Sequence, residues 1–240
     1  MKKRSALFFL FFTAVSAIAA ETANSKITLL GHNLTPTTYS LPQGKFTAGT
    51  YALAYGVTDH WTIGTSPWFD VLYNMPTVVN RISFTLNTFI ERLNVELHYF
   101  KTFPYGLNRY IQESFFARVT GSHKFTAAYT LNVSAGYQYF FVDTRPYSLR
   151  LISGKSTPYN ASVSTLSEIR LLDRFGVFLE MGVLGLNYSV PYLHLGASAF
   201  YHWDWGFFQF GFSQTSSMGE VPLYGPIVYV HPEIQLQTFF

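Results

Sequence analysis

The chain ends in the stretch Val228-Tyr229-Val230-His231-Pro232-Glu233-Ile234-Gln235-Leu236-Gln237-Thr238-Phe239-Phe240. Its even positions are mostly apolar and its odd positions from 231 to 237 are polar, which is the period of two that a β-strand imposes. A strand at the end of a chain leaves an edge of unpaired backbone groups unless another strand pairs with it. The pattern therefore predicts a sheet that closes on itself and has one apolar face.

The first twenty residues have the layout of a secretory signal peptide. Lys2, Lys3 and Arg4 precede an apolar stretch over 6–15, and small residues around 17–19 offer a cleavage site. The alternative is an uncleaved membrane helix, but residues 5–20 fall short of the ~18–20 residues that span a bilayer. We predict that residues 1–20 are removed on export and that 21–240 form a single domain.

Composition favours an apolar exterior. Charged residues make up 12% of the chain, about half the share of a soluble domain, and a wall that faces lipid explains the deficit. The chain has 16 Lys and Arg against 13 Asp and Glu, and removing the three bases of the signal leaves equal numbers. The basic pI is therefore no argument for a nucleic-acid partner. Cysteine is absent, which excludes disulfides and thiolate metal sites, and we predict no cofactor.

Short and long connections alternate along the chain. Most short ones carry an acid beside a base or histidine, at Asp59-His60, Glu91-Arg92, Asp173-Arg174 and 202–204, and we place a fifth near 130–132. The longer ones are predicted at 39–43, 73–79, 104–110, 143–159, 185–191 and 214–226. Short turns on one side and longer loops on the other are typical of membrane-spanning barrels, with the short turns in the periplasm.

The segments between these connections predict the fold. We expect strands over 26–38, 44–57, 61–71, 80–90, 93–103, 111–128, 132–142, 160–171, 175–185, 192–202, 205–213 and 227–240. The fold class is therefore all-β, a transmembrane antiparallel up-and-down β-barrel of about twelve strands. The first segment alternates poorly and contains Pro36, which requires a strand end or a bulge.

The clearest of the predicted strands have one apolar and one polar face. In the fifth, Leu93, Val95, Leu97 and Tyr99 oppose Asn94, Glu96 and His98. A soluble β-sandwich is the alternative, but twelve strands of this length would leave it with long exposed edges. Aromatic residues, Trp61, Phe175, Trp203 and Trp205, flank the short turns, as expected of a girdle at the lipid headgroups.

These features together resemble a bacterial outer-membrane β-barrel protein of the porin-like kind. The signal peptide, the turns edged by Trp and Phe, and the last strand carry the resemblance. It implies a Gram-negative outer membrane as the location, outer-membrane lipids as partners, and a C-terminal signal for the barrel-assembly machinery formed by Ile234, Leu236 and Phe240. Thr238 departs from that signal, because an aromatic or aliphatic residue is commoner there.

The polar face carries charges of both signs. Nine titratable residues are predicted to line the lumen: Arg81, Glu96, His98, Arg118, Lys124, Glu168, Arg170, Glu180 and Glu233. Charges in a narrow interior either stay hydrated along a pore or pair with one another and fill it. The small residues that alternate over 48–56, from Ala48 to Gly56, favour a passage.

A narrow passive channel for small polar solutes, acting as a monomer, is therefore the leading functional hypothesis. The alternative is a structural or surface-interaction barrel whose outer loops bind a partner, and the bases Arg145, Arg150 and Lys155 in loop 143–159 suggest lipopolysaccharide.

An outer-membrane lipid hydrolase is a weaker alternative, and we predict that the chain is not an enzyme. No histidine has serine two residues later. His194 and Ser198 share a face but lie about 13 Å apart along a strand. Two pairs, Glu96 with His98 and His231 with Glu233, offer only two metal ligands each, so no metal site is predicted.

Overall fold

The alternating segments form β-strands that close into a barrel. The computed structural model describes residues 35–50, 52–67, 70, 76–102, 111–143, 159–188, 190–218 and 228–240. The predicted signal peptide and most of the predicted loop 143–159 lie outside these residues. Within them, no helix is long and apolar enough to cross a membrane.

Twelve strands are present in the described residues. They are β1 Phe46–Gly49, β2 Leu53–Thr58, β3 Trp61–Thr65, β4 Thr77–Thr85, β5 Arg92–Lys101, β6 Gln112–Thr126, β7 Tyr129–Asp143, β8 Tyr159–Arg170, β9 Phe175–Leu184, β10 Tyr192–Trp203, β11 Gly206–Ser217 and β12 Val228–Phe239. Each strand pairs antiparallel with the next, and β1 closes the ring on β12. The predicted all-β, antiparallel, up-and-down barrel of twelve strands is confirmed.

The period-two pattern decides which side chains face outward. On β12, Val230, Ile234 and Leu236 are exposed, whereas the odd positions Gln235 and Gln237 are buried. The same division holds on β5, where Asn94 and Glu96 are fully buried and Leu97 and Tyr99 are exposed. The apolar side chains thus form the outer surface, and the polar ones line the interior.

The N-terminal strands have other bounds than predicted, although the total of twelve strands agrees with the prediction. The described end of the predicted strand 26–38 lies inside the barrel and not in its wall. The predicted strand 44–57 is instead two strands, β1 and β2, which pair antiparallel with each other. Alternating small residues fit a straight strand and a hairpin equally well, so the sequence there does not distinguish the two.

Two other boundaries also differ. The turn predicted near 130–132 lies at Ala127 and Ala128, a pair with no turn signal of its own. The predicted strand 61–71 ends at Thr65, because Asp70 turns back and accepts a hydrogen bond from the backbone N–H of Thr77 at 2.8 Å. We call the end of the barrel with turns 59–60, 86–91, 127–128, 171–174 and 204–205 the short end.

Candidate functional site

Residues 35–43, called the inner segment here, run through the interior of the barrel. Thr35, Thr37 and Thr38 are buried, at 0–1% exposure. The segment leads to the short end, where Gly44 turns with a φ of +76° and the chain enters β1. The outer loop predicted over 39–43 is therefore wrong: Leu41 is buried inside the barrel, and Pro42 and Gln43 are exposed at its short end.

The far end of the inner segment bonds to Glu180 of β9. The backbone N–H of Thr35 donates to the Glu180 carboxylate, and the Thr35 hydroxyl donates to Ser164 at 2.7 Å. His194 of β10 reaches the other oxygen of Glu180 at 2.9 Å, and its Nδ1 lies 2.9 Å from the Thr215 hydroxyl. The Thr215 hydroxyl, the His194 imidazole and the Glu180 carboxylate thus form a row, and Glu180 binds the inner segment at Thr35.

Tyr39 is the central residue of the inner segment. Its hydroxyl donates to Glu168 at 3.2 Å, and the guanidinium of Arg92 lies over its ring at 5.3 Å. Arg170 forms an ion pair with Glu168 at 2.8 Å. Burial first, and then the charge of Glu168, raise the pKa of Tyr39 above its usual range. The phenol therefore remains a hydrogen-bond donor at neutral pH.

Glu96 of β5 is the centre of a buried charge cluster. It is 0% exposed and forms ion pairs with Arg81 of β4 and Arg118 of β6. These three residues lie directly opposite one another in the strand register. His98 contacts the same carboxylate at 3.1 Å, and Arg81 donates to the backbone carbonyl of Tyr39 at 3.1 Å. The cluster therefore also holds the inner segment, through Arg81 of β4.

The near end of the inner segment is bound at the turn between β2 and β3. Ser40 donates to the backbone carbonyl of Asp59 at 2.7 Å, and the Gln43 N–H donates to the Asp59 carboxylate at 2.9 Å. Gly56 of β2 leaves room for this approach, since a methyl group there would overlap the carbonyl oxygen of Pro42. At Gly56, one of the small residues predicted to leave a passage, the space is therefore occupied by the inner segment.

Aromatic side chains fill another part of the interior. Leu166, Phe178, Phe200 and Phe207, one from each of β8 to β11, form a buried apolar cluster, and Phe239 of β12 packs against it. The rings of Phe178 and Phe200 lie 4.8 Å apart. We call Leu166, Phe178, Phe200 and Phe207 the aromatic cluster.

The predicted lumen residues fall into separate groups. Arg81, Glu96, His98 and Arg118 meet in one cluster; Glu168 and Arg170 pair in another; Glu180 joins His194. Glu233 is buried and accepts a hydrogen bond from Ser213 at 2.9 Å. Lys124 is exposed, near the turn after β6.

Sequence reasoning missed the role of the inner segment and of the aromatic cluster. Phe178 alternates with the outward residues of β9, but its packing depends on the register of four strands. No local sequence pattern marks Tyr39 as an interior residue, because a polar stretch without alternation is equally compatible with an outer loop and with a segment inside the lumen.

The row Thr215–His194–Glu180 has the order of groups found in hydrolases. Glu180 also accepts a hydrogen bond from the backbone N–H of Thr35. Holding the inner segment is thus a structural role for the row that involves no catalysis. Ser198, the alternative partner of His194, instead accepts from Gln209 at 2.9 Å. In the part of the chain that the structure covers, no group of three or more potential ligands is arranged to hold a metal ion.

Comparison of the chain with protein-family models, with curated proteins and with solved structures finds no match. The functional argument therefore depends on the geometry of the barrel.

Proposed function

We propose that the chain is a Gram-negative outer-membrane β-barrel that provides a narrow passage for small polar solutes, and that the inner segment closes this passage. The apolar outer face supports the membrane location, because a barrel leaves no unpaired sheet edge in lipid and presents apolar side chains to it. The observation that carries the proposal is a polar chain segment inside a polar lumen.

The contacts that hold the inner segment in the lumen are of a kind that can break and re-form, as opening of the passage requires. They are separate hydrogen bonds to side chains and to one turn, such as Thr38 with Ser122 at 2.7 Å and Leu41 with Thr62 at 3.0 Å. Each such bond is worth about 0.5–1.5 kcal/mol net, because water replaces it when it breaks. A lumen lined by hydroxyls, amides and paired charges stays stable when wet.

The C-terminal strand is in a position that suits recognition during assembly. Ile234 and Leu236 are exposed on the outer face, and Phe240 is 67% exposed. Phe240 exchanges backbone hydrogen bonds with Phe46, at 2.8 and 3.2 Å, so the last residue lies at the strand pair that closes the ring. We propose these three residues as the signal for the barrel-assembly machinery.

Gly56→Ala tests the closure. The added methyl group overlaps the inner segment at Pro42 and must displace it. In planar-bilayer recordings of folded protein, we expect the open probability of G56A to exceed that of wild type by about tenfold, which corresponds to ~1.4 kcal/mol lost from the closed state.

Gly121→Ala is the matched control. The nearest atom to its added methyl group is a flexible side-chain carbon of Ile90 at 3.2 Å, so its currents should equal those of wild type. Heat-modifiable gel migration verifies that both variants fold. A folded G56A whose inner segment is open to protease, but which passes no current, would refute the passage.

A further inference from the structure

Main-chain groups of the inner segment, and not only its side chains, contact the barrel wall. The backbone N–H of Thr35 donates to the carboxylate of Glu180. At the other end of this stretch, the backbone carbonyl of Tyr39 accepts from Arg81 at 3.1 Å. Asn94 of β5 donates to a further carbonyl of the segment, two residues before Tyr39, at 3.4 Å. The wall thus offers an acceptor to an amide N–H and donors to amide carbonyls, which are the groups that a bound peptide needs.

The wall groups that contact this main chain are also held by other wall residues. His194 lies 2.9 Å from the second carboxylate oxygen of Glu180. Arg81 forms an ion pair with Glu96. Each group therefore keeps a partner and its position when the inner segment moves away. A surface that is preorganised in this way can bind a replacement with little further loss of side-chain freedom.

The side chain of Tyr39 lies in a subsite of its own. The guanidinium of Arg92 lies over the ring at 5.3 Å, and the hydroxyl donates to Glu168 at 3.2 Å. Glu168 is 1% exposed and is held by Arg170, whose Nε lies 2.9 Å from it. A cation over the ring face and a charged acceptor at the ring's end together favour a phenol. We call Arg92, Glu168 and Arg170 the phenol subsite.

From these contacts we infer that the inner segment occupies the binding site of the solute that it keeps out, and that this solute is a short peptide containing a tyrosine. The inference rests on the passage in the proposed function. Residues 35–39 carry the contacts described above, so a peptide of five residues or fewer is long enough to replace them. Such a solute restores the hydrogen bonds that opening breaks, whereas an inorganic ion supplies neither the amide groups nor the phenol.

A carbohydrate is the competing class of solute, because its hydroxyls both donate and accept. Ser164 and Ser122 of the wall pair with hydroxyls of the inner segment, those of Thr35 and Thr38, at 2.7 Å each. These two contacts suit a sugar as well as a peptide. A sugar has no aromatic face for the guanidinium of Arg92, and the phenol subsite therefore favours the peptide.

The test measures binding of two capped tripeptides, Ala-Tyr-Ala and Ala-Phe-Ala, to folded protein in phospholipid vesicles by isothermal titration calorimetry. Tyr39→Ala removes the chain's own phenol and leaves the phenol subsite to the probe. We expect Y39A to bind the tyrosine peptide about tenfold more tightly than the phenylalanine peptide, because only the tyrosine peptide donates to the Glu168 carboxylate. Wild type should bind the tyrosine peptide about tenfold more weakly than Y39A, since Tyr39 competes with it.

Further substitutions in the Y39A background locate the bound peptide. Glu168→Gln should remove most of the preference for the tyrosine peptide. Arg92→Gln changes an exposed side chain and so spares the fold; it should weaken the binding of both peptides by about threefold, the value of a cation–π contact near water. The matched control is Arg174→Gln, which breaks an exposed contact to Asp204 at 3.2 Å and should leave both affinities unchanged. Heat-modifiable gel migration verifies that each variant folds.

Equal affinity of Y39A for the two peptides, or of wild type and Y39A for the tyrosine peptide, would overturn the inference. A disaccharide that competes with the tyrosine peptide and binds as tightly would overturn it as well. Uptake of the labelled tyrosine peptide and of the disaccharide into the vesicles tests the passage separately. Selective binding without uptake of either solute refutes the passage in the proposed function. Uptake of both without any preference for tyrosine in binding refutes the inference alone.

Discussion

The barrel interior is filled in two ways, and the two fillings have different physical character. The inner segment is polar, joins the wall covalently through β1, and is held by hydrogen bonds that water can replace. The aromatic cluster consists of side chains of the wall strands themselves, buried against one another. Removing the cluster from the interior requires unfolding of β8 to β11, whereas displacing the inner segment breaks only its separate hydrogen bonds to the wall and to one turn. The aromatic cluster is therefore a permanent filling of the interior, and the inner segment is a movable one.

The aromatic cluster should give the largest effect on stability. Phe178→Ala leaves a cavity among Leu166, Phe200 and Phe207, and we expect a loss of about 3–5 kcal/mol in the free energy of unfolding. The measurement is a urea titration of protein folded in vesicles. The control Phe208→Ala removes an outward ring, 41% exposed on β11, and should cost clearly less. Equal losses would show that the inner cluster is not tightly packed.

The charge cluster beside the inner segment should give the next largest effect. Glu96→Gln leaves the guanidiniums of Arg81 and Arg118 close together without the carboxylate between them. We expect a loss of about 3 kcal/mol, since breaking a buried ion pair leaves uncompensated charge. The same titration serves as the measurement.

The matched control is Glu113→Gln, which breaks the exposed contact to Lys101 at 3.6 Å. It should cost less than about 1 kcal/mol, the usual value of a surface pair. A loss for E96Q no greater than this would show that the cluster is hydrated and weakly coupled.

Loss of a single hydrogen bond of the inner segment should give the smallest effect. It should change the open probability of the passage more than the stability of the fold. Tyr39→Phe removes the hydroxyl that donates to Glu168, worth about 1 kcal/mol of the closed state. The open probability in bilayers should rise by about fivefold, with the urea midpoint almost unchanged. Tyr55→Phe, on an exposed outward ring, should change neither. A shift in the urea midpoint as large as that of F178A would make the inner segment a permanent filling.

The features that local alternation determines could be predicted from the sequence. The faces of β5 and β12 follow from their period of two, and the same alternation on β4 and β6 places Arg81 and Arg118 on the inner side with Glu96. Their meeting depends on the register of three strands, which alternation does not determine. The inner segment could not be predicted, because its threonines and Tyr39 find partners on β4, β5, β6, β8 and β9, far away in the sequence.

A reversible lock on the inner segment tests the central claim most directly. The Thr38 and Ser122 hydroxyl oxygens lie 2.7 Å apart, and the native chain has no cysteine, so T38C/S122C offers one disulfide between segment and wall. In planar bilayers, we expect the oxidised double variant to stay closed and a thiol reductant to restore wild-type openings. The single variants T38C and S122C should not respond. Openings of wild-type size and frequency in the fully oxidised double variant would contradict the account.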